Sequence, residues 1–242
     1  MKKRFEKLMC LRFWLPVSIV LVLTYGFYLS NVSIGIDDPA GVFYFDWKVW
    51  LSQGRFGDEI TSWFVDLSSY LPGWQNWIML IILILSGIMW IVYFDGELNG
   101  TISVTGASIF LCIYLTFPYL TDILVIDNVA IFSSLSAFCA ALAAIGLQEF
   151  QKMKKKLFFG VGIISLAIGL GCFETSAFYF IVGVVAGVFL HAILECRQYD
   201  KSYIKIIVNK VWTSGVLLIT SFVLNRIILV LYLNKYKIET VR

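Results

Sequence analysis

Seven long apolar segments recur along the chain, and they restrict its fold more than any other feature. They cover residues 13–29, 74–94, 101–117, 129–147, 157–172, 177–194 and 211–233. A helix needs roughly 20 apolar residues to cross the hydrocarbon core of a bilayer. Of the 242 residues 60% are hydrophobic and only 14% are charged, more apolar surface than a soluble domain of this size could bury. We therefore predict an all-α, polytopic transmembrane helix bundle, with residues 1–242 forming a single membrane domain.

Charge is segregated between two sets of loops, and this predicts which way the bundle faces. Lysine and arginine are concentrated in residues 1–12, 148–156 and 195–210. Because basic loops stay on the cytoplasmic side, the N-terminus is expected to be cytoplasmic. The segments 31–73, 118–128 and 173–176 then lie on the outer side. The first apolar run lacks a small-x-small cleavage site and is interpreted as a retained span.

The first outer loop, residues 31–73, opens with two adjacent carboxylates, Asp37 and Asp38, followed by Pro39. This order is typical of a helix N-cap with proline at the first helical position. A helix from Pro39 to about Gln53, stopped by Gly54, would be rich in aromatic residues. We predict that it is an amphipathic helix lying in the membrane interface. The alternative is an ordinary helix start in which Asp38 does nothing but cap.

One charged residue, Arg226, lies within an apolar run. A charge at that depth is costly and is often functional. Alternatively, its long side chain could reach the outer headgroups without any further role. The neighbouring Asn225 favours a polar patch that faces the inside of the bundle, and we expect Arg226 to face it too.

The cysteines and the single histidine argue against zinc and Ser-His-Asp chemistry. The five cysteines are scattered without metal-ligand spacing, so no disulfide framework is expected. His191 ends an apolar run, where a histidine is more often an interfacial residue than a base. We expect no cofactor; a divalent metal is compatible with the sequence but is not indicated by it.

The order and sidedness of these features resemble the polytopic C-type glycosyltransferases. More narrowly, the chain is similar to the Gtr-type, serotype-converting glucosyltransferases of bacteria and their phages, over roughly residues 11–190. The matching pieces are Ile36-Asp37-Asp38, Trp50-Leu-Ser-Gln-Gly-Arg-Phe56, Phe117-Pro-Tyr-Leu-Thr-Asp122 and Phe173-Glu-Thr-Ser176. By this resemblance the chain corresponds to an N-terminal part of a longer family architecture.

The resemblance implies transfer of glucose or a similar hexose from a polyprenyl-phosphate donor. The acceptor would be a lipid-linked O-antigen or another cell-envelope glycan, at the outer (periplasmic) face of the bacterial inner membrane. An acceptor hydroxyl needs a base, and the leaving lipid phosphate needs a cation. The candidate catalytic residues are Asp37 and Asp38, and the candidate substrate-binding residues are Arg55, Asp122, Glu174 and Arg226.

Two other classes of protein share this general layout. A transporter, such as a flippase subunit for lipid-linked sugars, should carry polar or broken helices near the bilayer midplane. These spans are instead apolar through their middles, apart from glycine and serine. A non-catalytic membrane assembly protein is the third class. In each case the expected partners include membrane lipids and no nucleic acid.

Overall fold

The computed structural model describes residues 6, 8–30, 47–57, 72–117, 127–195 and 201–238. Every regular element within these residues is an α-helix. They are α1 (Leu11–Ser30), α2 (Trp47–Ser52), α3 (Pro72–Glu97), α4 (Val104–Leu115), α5 (Asp127–Met153), α6 (Lys156–Cys172), α7 (Ser176–Glu195) and α8 (Lys201–Tyr236). Each predicted apolar segment corresponds to one helix, so the all-α fold class is confirmed for this part of the chain.

Four of these helices are long and apolar enough to cross a membrane by length and composition. The qualifying stretches are Asn76–Glu97, Ile131–Met153, Ser176–Ile193 and Ile207–Tyr236. The apolar parts of α1, α4 and α6 are shorter than this length. The described residues therefore support a membrane-embedded helical protein, while the number of seven spans stays a prediction.

Helix ends differ from the predicted limits where local caps decide them. α3 continues past its apolar stretch to Glu97, and the chain then turns through Asn99 and Gly100, whose φ angles are 54° and 83°. α4 begins later than predicted because Ser103 caps it, accepting a hydrogen bond of 3.0 Å from Gly106 N. Such caps depend on single side chains and not on hydropathy.

The predicted interfacial helix is described only at its end. α2 covers Trp47–Ser52, and the chain leaves it through Gly54, whose φ of 96° lies in the left-handed region. The predicted stop at Gly54 is therefore confirmed. Residues 31–46 lie outside the described residues, so the interfacial helix itself stays a prediction.

The centre of the bundle is α5, which packs against α3, α6 and α7. One side of it is lined by buried alanines, which allow close approach of neighbouring helices. At Gly146 an added Cβ would lie 2.8 Å from Phe158 O, so α5 and α6 touch through their backbones. α1 and α4 pack together at the edge, where Ser108 Oγ donates to Phe13 O at 3.0 Å.

The described helix ends meet at two opposite ends of the bundle. At one end Lys152 Nζ donates to Gly96 O at 3.3 Å, which joins the last turn of α5 to the end of α3. At the other end Gly57, from the first predicted outer loop, packs on Cys172 at the end of α6. We call these the inner and outer ends; which one faces the cytoplasm stays a prediction.

Candidate functional site at the outer end

The outer end is built around a docked segment, residues 51–57, which folds back onto α8. Its turn is closed by a hydrogen bond of 3.0 Å from Gly54 N to Leu51 O. Leu51 and Phe56 are completely buried and form an apolar cluster with Leu229 and Leu233 of α8. Burial of these side chains from solvent stabilises the docked position.

Phe56 sits between two helices. Its ring stacks on the ring of Tyr232, with centroids 5.9 Å apart and an interplanar angle of 8°. The edge of the ring lies directly against Gly171, where an added Cβ would come within 2.4 Å of Phe56 Cζ. The docked segment thus touches both α6 and α8.

The docked segment places Arg55 beside the α6–α7 link, residues 173–175. Its guanidinium carbon lies 4.7 Å above the centroid of the Phe173 ring, a cation–π arrangement. Arg55 is partly exposed, and Glu174, next to Phe173 in the link, is exposed. The structure therefore brings two of the predicted substrate-binding residues, Arg55 and Glu174, to one face of the outer end.

The same link holds a polar group that the sequence did not single out. Thr175 Oγ1 is buried and has no hydrogen-bond partner among the described residues. The adjacent Ser176 is buried as well, but its hydroxyl donates to Ser136 O at 3.2 Å. Buried hydroxyls usually have a partner, so Thr175 Oγ1 is an unsatisfied polar group within this link. Only its place in the polar sequence Glu174-Thr175-Ser176 could have indicated it.

Asn225 faces the inside of the bundle as expected, but Arg226 does not. Asn225 is buried, and its Nδ2 donates to Ala167 O of α6 at 3.1 Å. Arg226 lies on the exposed side of α8, with its guanidinium carbon 5.0 Å from the centroid of Phe222. Consecutive helical residues point about 100° apart, so only one of the two can face the bundle. The expected inward orientation of Arg226 is thus corrected; its role in substrate binding stays a prediction.

Arg226 nevertheless lies close to the docked segment along the helix axis. It is one turn before Leu229, about 4.5 Å at a rise of 1.5 Å per residue. Leu229 in turn contacts the docked segment. Asp37, Asp38 and Asp122 lie outside the described residues, so their geometry and roles stay predictions.

A second polar cluster, at the inner end, was missed by the sequence analysis. The carboxylate of Glu97 forms a buried ion pair with Lys210 and accepts a hydrogen bond of 2.7 Å from Gln148 Nε2. His191 Nδ1 lies 3.2 Å from the backbone oxygen of Glu97. The cluster joins α3, α5, α7 and α8, and a paired buried charge of this kind ties helices together. The only sequence signal was an acid at the end of an apolar run, close to basic loops.

No group of three or more His, Cys, Asp or Glu side chains within the described residues is arranged to hold a metal ion. The polar side chains described at the outer end include the guanidinium of Arg55, the carboxylate of Glu174 and the hydroxyl of Thr175. This set suits a phosphorylated, hydroxyl-rich ligand.

Residues 26–240 match the sequence model of the family described as Glucosyl transferase GtrII. No curated protein and no solved structure matches the chain. The family match covers both the docked segment and the α6–α7 link, and it extends through α8. The chain therefore belongs to the GtrII glucosyl transferase family.

Proposed function

We propose that this protein is a membrane glycosyltransferase that moves glucose or a similar hexose from a polyprenyl-phosphate donor. The acceptor is a lipid-linked O-antigen or another cell-envelope glycan at the outer face of the bacterial inner membrane. The observation that carries the proposal is the seating of Arg55 over Phe173, beside Glu174, at the outer end of a GtrII-family bundle. The lipid phosphate of the donor would lie at the outer end of the bundle, so a cation held there can bind it.

Arg55 supplies the charge that the donor requires. When the bond between the anomeric carbon and the phosphate oxygen breaks, negative charge grows on the lipid phosphate. A guanidinium binds phosphate through two parallel N–H···O hydrogen bonds. Because that charge is larger in the transition state than in the bound donor, the contact accelerates the transfer itself.

The carboxylates supply the remaining chemistry. The acceptor hydroxyl attacks the anomeric carbon, and a carboxylate of the pair Asp37 and Asp38 takes its proton. If Asp38 caps a helix, Asp37 is the base. Glu174 and Asp122 are then acceptors for sugar hydroxyls, and Thr175 Oγ1 is a further hydrogen-bonding group at the same place.

The test is a transfer assay with purified protein in proteoliposomes, using a polyprenyl-phosphate glucose donor and a lipid-linked glycan acceptor. We expect Arg55→Gln to lower transfer about 100-fold, as removal of a transition-state donor does. Arg55→Lys should retain part of the activity, because it keeps the charge but loses the bidentate geometry.

The matched control is Lys154→Gln, which removes an exposed cation at the inner end of the bundle. It should transfer at the wild-type rate. Wild-type transfer and donor affinity in Arg55→Gln would contradict the assigned role of Arg55. A protein that moves the donor across the bilayer without transferring its sugar would instead support a flippase subunit.

A further inference from the structure

Two glycines allow the docked segment to pack closely on the end of α6; we call this packing site the seat. A Cβ at Gly171 would lie 2.4–2.6 Å from three atoms of the Phe56 ring. A Cβ at Gly57 would lie 2.5 Å from Cys172 Sγ and 2.7 Å from Cys172 N. Real Cβ atoms do not approach other atoms so closely, so neither position has room for a side chain while the segment is docked.

The seat is a slot that fits one aromatic ring. Tyr232 covers one face of the Phe56 ring, Gly171 lies against its outer edge, and the ring is completely buried. The residue before Phe56 is Arg55, and the residue after it packs on the backbone of Cys172. Because the ring is held on one face by Tyr232 and at its edge by Gly171, the backbone on either side of it is fixed as well.

We propose that Phe56 is a positioning residue, which holds Arg55 over Phe173 by inserting its ring between Gly171 and Tyr232. The seated segment also covers the side chain of Cys172, which is completely buried although it ends α6 at the outer end. The role of the seat in transfer rests on the proposed function, but the seat itself can be measured without any substrate.

The experiment uses Cys172 as a reporter of the seat. In a protein that retains Cys172 as its single cysteine, a sulfonated maleimide is added in detergent, where both ends of the bundle are accessible. Cys172 should be protected in the otherwise unchanged protein. Gly171→Ala should expel the Phe56 ring, raise the labelling rate at least about tenfold, and lower kcat/KM for the donor. A shift of about 1 Å at a reacting group is enough to lower a rate about 100-fold.

The matched control is Gly160→Ala in the same helix, where an added Cβ meets nothing within 4 Å. It should leave both labelling and transfer unchanged. The double variant Gly171→Ala with Phe56→Leu makes room for the new methyl group, so it should restore protection of Cys172 and part of the transfer. Rescue of this kind is not expected if Gly171→Ala simply unfolds the helix.

Phe56→Ala is measured in parallel, because it empties the slot without adding volume, and it should also expose Cys172. Unchanged labelling in both Gly171→Ala and Phe56→Ala would overturn the proposed seat. Labelling that rises while transfer stays at the wild-type rate would overturn its positioning role. Absence of transfer in the wild-type protein is a separate result, which contradicts the proposed function and leaves the labelling comparison readable.

Discussion

Lys210 donates to Glu97 inside the bundle and joins two helices whose paired residues lie 113 positions apart in the chain. Both side chains are buried, with exposed fractions of 9% for Lys210 and 4% for Glu97. Gln148 and Lys152, both in α5, add further hydrogen bonds to the same end of α3. The pair therefore fixes the inner end of α8, the helix whose other end supports the docked segment.

The first prediction concerns this ion pair. Glu97→Gln or Lys210→Met should each lower the free energy of unfolding by about 3–5 kcal/mol, because each leaves a buried charge without its partner. The exchange variant, Glu97→Lys with Lys210→Glu, should recover part of the loss. Denaturant unfolding of the detergent-solubilised protein measures this. Lys155→Met, at an exposed position of the inner end, is the control and should leave the free energy of unfolding nearly unchanged. Equal stability of all four variants would contradict the prediction.

The second prediction concerns the packing of α3 on α7. A Cβ at Gly183 would lie 2.1 Å from two ring carbons of Trp90, in a buried region. Gly183→Ala should therefore cost about 1–3 kcal/mol through overpacking. Gly215→Ala in α8 is the matched control, because a Cβ there meets nothing within 4 Å. The midpoint of thermal unfolding should fall for Gly183→Ala only. An equal fall for both variants would contradict the prediction, because it would show that the loss of stability does not come from the contact with Trp90.

The third prediction concerns the acid pair at the start of the first outer loop. Asp37→Asn or Asp38→Asn should abolish sugar transfer and leave the amount of protein in the membrane unchanged. If the pair only caps a helix, the loss of Asp38 should cost about 1 kcal/mol of local stability and transfer should persist in part. Transfer retained in both single variants would show that the pair has only a structural role.

The fourth prediction concerns Arg226. Arg226→Lys should retain part of the transfer activity, and Arg226→Leu almost none, if the guanidinium contacts the donor phosphate. Snorkelling to the headgroups predicts that Arg226→Leu is harmless, since it removes a charge from the bilayer. The donor KM and kcat of the two variants distinguish these cases. Asn225→Leu is a useful comparison, because it should lower stability by removing the hydrogen bond to Ala167.

The fifth prediction concerns sidedness. Gln53 is exposed in the docked segment, whereas its neighbour Ser52 is buried, so Gln53 is the better labelling position. In a cysteine-free background, an impermeant maleimide added to the periplasmic side should modify Gln53→Cys and spare Lys154→Cys. The reverse pattern would invert the topology and move the candidate site to the cytoplasm.

Local patterns in the sequence were sufficient to predict the helices and one turn. Apolar runs marked each long helix, and the glycine at position 54 marked the end of α2. The pairing of Glu97 with Lys210 could not be predicted, because it depends on which helices become neighbours. The outward orientation of Arg226 has the same origin: hydropathy places Asn225 and Arg226 in one helix, but only the position of α6 decides which one turns inward.

The burial of α5 has a consequence for the order in which the chain is assembled in the bilayer. Ser133, Ser134 and Ser136 of this helix are buried, and Ser136 O accepts a hydrogen bond from Ser176 at the start of α7. During synthesis α3 is already present when α5 emerges, but α6 and α7 follow it. Until they arrive, the side of α5 that they cover, Ser136 included, must face lipid or the insertion machinery, so stable integration of α5 depends on neighbours that are made after it.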